Sequence, residues 1–449
     1  MLSEIFKAYD VRGIYGQNLT EDIAYRIGRA FVYFLKAKDV IVGTDMRVSS
    51  PKLSRAFMKG VTEQGANAIF IGQVCTDVVY FASGFLNKPA IMFTASHNPP
   101  QYNGLKFCRN NAIPINEDTG LRKIKSIIEN KHYEKTKIIK KGKFIKKNIL
   151  KAYVTHVKKF IDVKKLKKLT IAVDAANGMA GKIIPLVYKY LQIKIVPLYF
   201  KLDGSFPNHP ADPSKYENLI ELQKSVKDKK CDFGIAFDGD ADRIFFVDEN
   251  GNVINSSLIS SLIIKNILLK NKTQKIIYNA VCSHIVPETI KQDGGIPVIE
   301  RVGHSFIKET MRKTKAIFAC EHSAHYYYRD NYRADSGIIT SLIVAEIVSK
   351  ENKPLSELLY EFRKYNTIEE TSIEVKDKNV KINKIESIYK KQNPKKVSKL
   401  DGITIEFDRW WFNVRPSNTE PLLRLNLEAD SEELMEEKRE ELLLVMKSN

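Results

Sequence analysis

The sequence is poor in cysteine and tryptophan, with five cysteines and two tryptophans among 449 residues. The cysteines are scattered, and no Cys-x-x-Cys pair occurs. This pattern argues against a disulfide framework and a zinc site, and it predicts reduced thiols in a cytoplasmic protein. The chain also lacks any run of about 18 apolar residues, the length that a membrane span needs. The N-terminal segment lacks the basic start and apolar stretch of a signal peptide, so we expect no membrane partner.

Two glycine-rich nucleotide-binding patterns are absent as well. The segment from Gly60 to Gly65 is followed by Ala-Asn, so the phosphate-binding lysine of a P-loop is missing. No Gly-x-Gly-x-x-Gly follows a predicted strand. These absences remove most of the support for a nucleotide-binding or dinucleotide-binding fold.

Positive charge is in excess, since 72 lysines and arginines face 53 acidic residues and give a formal net charge of +19. Much of the excess lies in lysine runs at 135–147, 158–168 and 390–399, which contain few aromatic residues. We interpret these runs as solvated surface that also attracts small anions. We expect no nucleic-acid partner, although a basic nucleic-acid-binding protein is a distant alternative because a basic balance is typical of that class.

Short apolar runs alternate with helix-period segments through most of the chain. The alternation begins at Val40–Gly43 and restarts at Leu169–Val173 and at Lys275–Tyr278. It predicts an α/β protein with three similar mixed-sheet α/β domains. After residue 365 the pattern is strand-rich and ends in a charged helix, Ser431–Lys447, which predicts an α+β C-terminal domain. The predicted domains span residues 1–145, 146–250, 251–364 and 365–449.

Three aspartates, Asp238, Asp240 and Asp242, alternate in the segment that ends at Arg243. This spacing lets one loop direct three hard oxygen ligands at one cation. An EF-hand is a competing interpretation because Glu249 falls at the twelfth position of such a loop. Arg243, however, stands where that loop needs glycine, and the flanking segments are predicted strands. A polar surface hairpin is the other alternative. A bound cation is favoured because three carboxylates placed together repel one another. Mg²⁺ is the expected cation if a phosphate completes its coordination shell.

Ser96 directly follows the predicted strand Ala90–Thr94. Taken alone, it fits a helix or turn cap as well as a nucleophile that a base or a metal activates. His97 beside it does not establish a catalytic pair, because neighbours on a chain need not face each other. Lys106 is either a cation near the same strand end or an exposed lysine.

A dense set of hydrogen-bond donors suited to phosphate oxygens lies between two C-terminal strands, in Arg415, Ser417, Asn418 and Thr419. An ordinary polar turn is the alternative for this segment.

A third polar segment follows the predicted strand at 316–319. Glu321, Ser323 and His325 alternate there, so they are expected to project together and to contact sugar hydroxyls. A metal site built on His322 and His325 has no third ligand nearby.

Together these segments strongly resemble the α-D-phosphohexomutase superfamily, in its bacterial phosphomannomutase/phosphoglucomutase branch. The resemblance extends from Phe6–Gly13 to Arg415–Glu420, nearly the whole chain. It includes the family's phosphoserine, magnesium, sugar-binding and phosphate-binding loops, here at 94–100, 238–243, 321–325 and 415–419. Four motifs in the right order, each in a different predicted domain, are hard to obtain by chance.

The resemblance implies four domains around a central active-site cleft, with one loop from each domain. It implies a reversible transfer of phosphate between C1 and C6 of a hexose, in which phosphorylated Ser96 donates its phosphoryl group. The intermediate and activator is a hexose 1,6-bisphosphate. One Mg²⁺ per chain is expected on Ser96, Asp238, Asp240 and Asp242.

The resemblance also assigns roles to the remaining candidates. Lys106, Arg243 and His97 are expected to stabilise the phosphoserine. Arg12 and His304 are candidates for proton transfer or for its orientation. The 321–325 loop is expected to bind the sugar, and the 415–419 loop is expected to hold the phosphate that does not react.

The expected substrates are the 1- and 6-phosphates of mannose, which is preferred, and of glucose. A phosphoglucosamine mutase is the alternative. His322 and the tyrosines at 326–328 favour phosphomannomutases of polysaccharide pathways. The chain departs from the family at Val281, where members of this type often carry a lysine that binds substrate.

Overall fold

The structure is a computed structural model that describes residues 2–135, 137–417 and 422–447. These residues form four sheets, one in each of four consecutive domains. Among them, no helix is both long enough and apolar enough to cross a membrane. All five cysteines are buried free thiols.

The first domain is a mixed sheet in the order β1-β5-β4-β2-β3-β7, with β6 paired to β5. Apolar residues of α2, α3 and α5 cover one face of this sheet, and α4 covers the other. Its elements are α1 (Leu2–Ile5), β1 (Val11–Ile14), α2 (Glu21–Leu35), β2 (Asp39–Thr44), α3 (Ser50–Glu63), β3 (Asn67–Gln73), α4 (Thr76–Leu86), β4 (Ala90–Phe93), β5 (Tyr102–Arg109), β6 (Ile113–Pro114), α5 (Arg122–Glu129) and β7 (Phe144–Lys146).

The second domain is a five-stranded sheet in the order β12-β11-β10-β8-β9. Its elements are α6 (Leu150–Val157), β8 (Leu169–Asp174), α7 (Ala180–Tyr188), β9 (Ile193–Leu198), α8 (Ile220–Asp228), β10 (Phe233–Phe237), β11 (Ile244–Val247) and β12 (Val253–Ile254).

The third domain repeats that plan in the order β14-β13-β15-β16-β17. Its elements are α9 (Ser256–Lys270), β13 (Lys275–Asn279), α10 (Ile285–Gln292), β14 (Ile296–Glu300), α11 (His304–Thr314), β15 (Phe318–Cys320), β16 (Tyr326–Tyr328), β17 (Ala334–Asp335), α12 (Gly337–Glu351) and α13 (Leu355–Leu358).

The fourth domain is an antiparallel sheet in the order β18-β23-β22-β21-β20, with β19 paired to β23. Its elements are β18 (Asn366–Thr367), β19 (Thr371–Glu374), α14 (Lys378–Lys390), β20 (Lys396–Ser398), β21 (Ile403–Glu406), β22 (Trp410–Pro416), β23 (Leu422–Ala429) and α15 (Glu432–Lys447).

The first three domains share one strand order. The sets β3-β2-β4-β5-β1, β9-β8-β10-β11-β12 and β14-β13-β15-β16-β17 each begin with two parallel pairings. Each set then ends with two antiparallel pairings. The loop between the third and fourth strands of each set is therefore equivalent. These loops are 94–101, 238–243 and 321–325.

The predicted fold class, three α/β domains followed by an α+β domain, is confirmed. Two expected boundaries fall inside sheets. Strand β7 crosses the boundary at 145 because it pairs with β3 of the first sheet. Strand β12 lies beyond the expected boundary at 250, but it belongs to the sheet of the second domain because it pairs with β11. Helix α14 is not among the predicted elements of the last domain.

The apolar cores show how the domains are joined. One continuous cluster contains residues of the first three domains, for example Phe81, Val173 and Leu342. The fourth domain has its own cluster, built around Phe412 and Leu425. The first three domains thus form one packed framework, and polar contacts such as that from the Val302 amide to Asp401 at 2.9 Å join the fourth domain to it.

Candidate active site

A cavity of about 970 Å³ lies where loops from all four domains meet. Each domain contributes a predicted site residue to its wall, namely Ser96, Arg243, Glu321 and Arg415. Other predicted site residues that line the cavity are Arg12, His97, Lys106, His304, Ser323, His325 and Ser417. Asn418 and Thr419 lie outside the described residues.

Ser96 occupies the sharp turn after β4 and is only 5 % exposed. Its φ of 51° is left-handed, which costs a residue with a side chain about 1–3 kcal/mol. The turn directs its Oγ to Asp238 Oδ2 at 2.5 Å and to His97 Nδ1 at 3.2 Å. A Cβ on Gly239 would lie 2.6 Å from the Ser96 carbonyl oxygen, so glycine permits this approach of the two loops.

Arg47, which the sequence analysis did not select, holds this strained turn. The side chain is fully buried beside Asp45. Its guanidinium donates hydrogen bonds of 2.5–2.9 Å to four backbone carbonyls, those of Ser96, Asn98 and Pro99 in the loop and that of Tyr102 at the start of β5. The one available signal is its place just after the end of the parallel strand β2, the edge at which sites of open α/β sheets lie.

Asp238, Asp240 and Asp242 lie together in the turn between β10 and β11, and all three are buried. One carboxylate oxygen of each lies within 4.8 Å of the others. Asp240 Oδ1 is buried without a hydrogen-bond partner among the described residues. Three converging hard oxygens and an unsatisfied one fit a divalent cation.

Lys106 of β5 extends into this cluster. Its Nζ lies 2.8 Å from Asp240 Oδ2 and 2.5 Å from Asp242 Oδ2. Burial opposes the charge on Lys106, yet the two carboxylates hold the pKa of Lys106 well above its usual value. Burial also opposes ionisation of Asp242, but Lys106 and His325 hold the pKa of Asp242 well below its usual range. Burial, helped by the other two aspartates, raises the pKa of Asp238 to about 7.

Arg243 joins the cluster to the cavity. Its Nε lies 3.2 Å from Asp238 Oδ2, and its Nη1 lies 3.7 Å from Asp212 Oδ1. Burial and the nearby Arg243 lower the pKa of His97 well below its usual value, so His97 is a neutral imidazole at pH 7.

Arg12 and His304 line the cavity from different domains. Arg12 donates to Asn98 Oδ1 at 2.5 Å and pairs with Asp10 at 2.6 Å. His304 begins α11, and its ring lies edge-on to Tyr9 with the centroids 5.7 Å apart. Burial and the neighbouring Lys308 lower the pKa of His304 well below its usual value. Its buried Nδ1 has no hydrogen-bond partner in the described part of the chain.

The 321–325 loop contacts the aspartate loop as well as the cavity. Ser323 Oγ and His325 Nδ1 lie 2.9 Å apart, and His325 Nε2 lies 3.4 Å from Asp242 Oδ1. Arg243 and His325 also form a backbone bridge. Glu321 accepts hydrogen bonds from the Gly303 amide at 3.0 Å, from Asn279 at 3.1 Å and from Tyr327. Glu321 and Ser323 face the cavity, whereas His325 also links two domains.

In the fourth domain, Glu370 joins two arginines that line the cavity. Its carboxylate lies 2.8 Å from Arg415 Nη2 and 2.7 Å from Arg424 Nη1. Burial favours the neutral acid, but the two guanidinium groups lower the pKa of Glu370 to about 2. Glu370 and Arg424 lie in no sequence motif that predicts a site. Their roles depend on the pairing of β22 with β23, which places Arg415 opposite Arg424.

Val281 is buried and lines the cavity, so an apolar side chain stands where the resemblance led us to expect a lysine. Lys7 and Lys215 line the same cavity and contribute positive charge from the first and second domains.

Four family models match the chain in order. They describe phosphoglucomutase/phosphomannomutase domains I, II and III, which are alpha/beta/alpha domains, and the C-terminal domain. The matched residues are 3–135, 151–251, 255–365 and 370–445. The chain belongs to the phosphoglucomutase/phosphomannomutase family.

Individual relatives agree over the full length. A phosphomannomutase of Methanocaldococcus jannaschii is 40% identical, covering 98% of this chain and 96% of its own. A phosphomannomutase of Vibrio cholerae is 39% identical, covering 98% of both chains. A phosphoglucomutase/phosphomannomutase family protein of Burkholderia thailandensis has a solved structure with a TM-score of 0.89 and 31% identity, covering 100% of this chain and 98% of its own.

We predict that Glu370→Gln lowers stability in a pH-dependent way. Because the folded-state pKa of about 2 lies below the ordinary value of 4.5, the ionised carboxylate stabilises the fold above pH 4.5. This contribution, on the order of 2–3 kcal/mol, is lost as the pH falls from 4.5 toward 2. The measurement is the free energy of unfolding in urea at pH 7 and at pH 3.5. The difference in this free energy between wild type and variant should be larger at pH 7.

The exposed neighbour offers a matched control, since Glu369→Gln should change the urea midpoint little at either pH. If Glu370→Gln lowers the free energy of unfolding equally at both pH values, the stabilising role of the ion pairs is contradicted.

Proposed function

We propose that this phosphohexose mutase interconverts mannose 1-phosphate and mannose 6-phosphate, and also accepts the glucose phosphates. The observation that carries the proposal is a cavity whose wall joins Ser96 to the arginines of the fourth domain. Lys106 and Arg243 line the same cavity and pair with the aspartate cluster beside it. The relatives named phosphomannomutase, at 39% and 40% identity, support the preference for mannose.

Ser96 is proposed to carry the phosphoryl group before the sugar binds. In the first step a hydroxyl oxygen of the hexose monophosphate forms a bond to phosphorus while the phosphorus–Oγ bond of phosphoserine breaks. The hydroxyl proton leaves the sugar, and the product is hexose 1,6-bisphosphate. After the bisphosphate turns around in the cavity, Ser96 takes back the other phosphoryl group.

The aspartate cluster is proposed to hold one Mg²⁺ with Asp238, Asp240, Asp242 and an oxygen on Ser96. The unsatisfied Asp240 Oδ1 supports this assignment. When bound, the cation supplies positive charge that stabilises the phosphoryl oxygens during transfer.

The cations around Ser96 are proposed to act by position and charge rather than by proton transfer. Phosphoryl transfer depends mainly on positioning and electrostatic stabilisation. Because the pKa of Lys106 is held well above its usual value, this side chain remains an ammonium group. Arg243 contributes a second charge and His97 a neutral hydrogen-bonding group beside Oγ.

His304 is proposed to take the proton from the attacking sugar hydroxyl. Its lowered pKa keeps the imidazole neutral, and its Nδ1 is available for a hydrogen bond in the described part of the chain. A neutral imidazole next to a hydroxyl is suited to accept its proton in the transition state. Arg12, held by Asp10 and Asn98, orients the loop that carries Ser96.

The far side of the cavity is proposed to bind the phosphate that does not react. Arg415 and Ser417, with Asn418 and Thr419 from the same segment, supply the donors for its oxygens. Glu321 and Ser323 contact the sugar hydroxyls. Both orientations of the bisphosphate must fit the same groups, so these contacts serve either end of the sugar.

We predict that turnover is highest with mannose 1-phosphate, lower with glucose 1-phosphate and lowest with glucosamine 6-phosphate. The measurement is kcat/KM for each substrate in coupled assays, with catalytic hexose 1,6-bisphosphate present. A clear preference for the amino sugar would favour the alternative, a phosphoglucosamine mutase. No turnover of any hexose phosphate would contradict the proposal as a whole.

We also predict that intact-protein mass spectrometry finds one phosphoryl group on part of the wild-type protein and none on Ser96→Ala. Ser205→Ala, which changes an exposed serine of the second domain, should retain the group. Persistence of the phosphoryl group in Ser96→Ala would refute the assignment of Ser96 as its carrier.

A further inference from the structure

The first turn of α4 contains two fully buried polar residues that the proposed reaction does not use, Thr76 and Asp77. Both lie in the first domain, yet their side chains bond to groups of other domains. Thr76 contacts the aspartate loop of the second domain, and Asp77 contacts the second and third domains.

Thr76 makes two hydrogen bonds to Asp240. Its amide donates to the Asp240 carbonyl oxygen at 3.1 Å, and its hydroxyl donates to Asp240 Oδ2 at 2.5 Å. Lys106 Nζ approaches the same Oδ2 at 2.8 Å. Oδ2 thus has two donors, while Oδ1 has none among the described residues. This arrangement leaves Oδ1 as the oxygen of Asp240 that is available to a cation.

Asp77 fixes the turn of helix that presents Thr76. Its carboxylate accepts a hydrogen bond from Tyr153 of α6 in the second domain at 2.6 Å. It accepts two more from the third domain, from Asn331 at 3.1 Å and from the Ser336 hydroxyl. One buried carboxylate therefore ties three domains together beside the aspartate loop.

Ser336 links Asp77 to the start of α12, which packs on the other side of the aspartate loop. Ser336 caps α12, since its Oγ accepts from the Ile339 amide at 2.9 Å. The next residue, Gly337, packs on the loop: a Cβ there would lie 3.0 Å from the Ala241 carbonyl oxygen and 3.2 Å from that of Arg243. The loop is thus held between α4 and the start of α12, and Asp77 connects these two helices.

We propose that Thr76 and Asp77 are positioning residues that set the orientation of Asp240 for its cation from the junction of the first three domains. The inference rests on the proposed role of Asp240 as a metal ligand. Partners of a ligand that orient it typically contribute 10–100-fold to metal affinity. Thr76 orients the carboxylate directly, and Asp77 acts through the position of Thr76 and of α12.

The test measures binding of Mn²⁺, a paramagnetic probe for the Mg²⁺ site, by electron paramagnetic resonance without substrate. Thr76→Val deletes the hydroxyl at nearly constant shape and should weaken binding about 10-fold or more. Thr76→Ser, which keeps the hydroxyl, should stay within about 3-fold of wild type, and Asp77→Asn should weaken binding at least about 3-fold. At saturating Mn²⁺, Thr76→Val should recover most of its turnover.

A matched control on the same helix separates positioning from general stability. Ser83 is a fully buried serine whose hydroxyl bonds to the carbonyls of Lys88 and Arg109, at 2.7 and 3.0 Å, and not to the aspartate loop. Ser83→Ala should lower the thermal midpoint and leave the Mn²⁺ dissociation constant unchanged. If Thr76→Val is not folded by near-UV circular dichroism, Thr76→Ala and Asp77→Asn carry the test.

The inference would be overturned if Thr76→Val or Thr76→Ala bound Mn²⁺ as tightly as wild type does. It would also be overturned if Ser83→Ala lost as much Mn²⁺ affinity as they do. Asp240→Asn separates this failure from that of the proposed metal site. If Asp240→Asn binds Mn²⁺ as wild type does, the assignment of Asp240 as a ligand fails. If Asp240→Asn loses binding while the Thr76 variants keep it, only the positioning role fails.

Discussion

The burial of three carboxylates within one short turn is the constraint on which the rest of the site depends. Buried ionised groups are costly unless they are paired and hydrogen-bonded. The second domain supplies Arg243 to this cluster, and the first domain supplies Lys106 and the Thr76 hydroxyl. The third domain adds His325, whose Nε2 lies 3.4 Å from Asp242 Oδ1, so the charge of the turn is compensated where these three domains meet. Ser96 Oγ donates a hydrogen bond to Asp238 of the same cluster, so the position of Ser96 depends on how the cluster is held.

The electrostatics of the cavity separate side chains that stay charged from imidazoles that stay neutral. Lys106 stays protonated because two carboxylates face it, whereas His304 and His97 stay neutral because burial and neighbouring cations oppose their protonation. In the fourth domain, Glu370 pairs with both Arg415 and Arg424 and so holds the two guanidinium groups near each other. Positive charge thus lines the cavity both beside Ser96, from Lys106 and Arg243, and in the fourth domain, from Arg415 and Arg424. This distribution suits the two phosphates of the proposed bisphosphate.

The sequence predicts the fold class because the alternation of apolar runs and helix-period segments is strong in three domains. It also predicts the site residues that lie within short motifs, since Asp238, Asp240 and Asp242 alternate along one loop. Helix α14 was missed because its sequence, rich in lysine and asparagine, has only a weak apolar face. Arg47, Thr76 and Glu370 were missed for a different reason. Their partners lie 49, 164 and 45 residues away in the sequence. Their importance therefore depends on tertiary contacts, within one domain for Arg47 and Glu370 and between two domains for Thr76, which no local pattern encodes.

The equivalent hairpin turns of the first three domains have a consequence for how such a site can change. A turn between antiparallel strands carries none of the hydrogen bonds that hold a sheet together, so its residues are free to differ while the strands stay alike. One framework used three times thus places Ser96, the three aspartates and the cavity-lining Glu321 in the same loop of the strand order. Because a residue in such a turn can change without altering the strand pairing, substitutions in these three turns change the chemistry of the cavity while the order of the strands is kept.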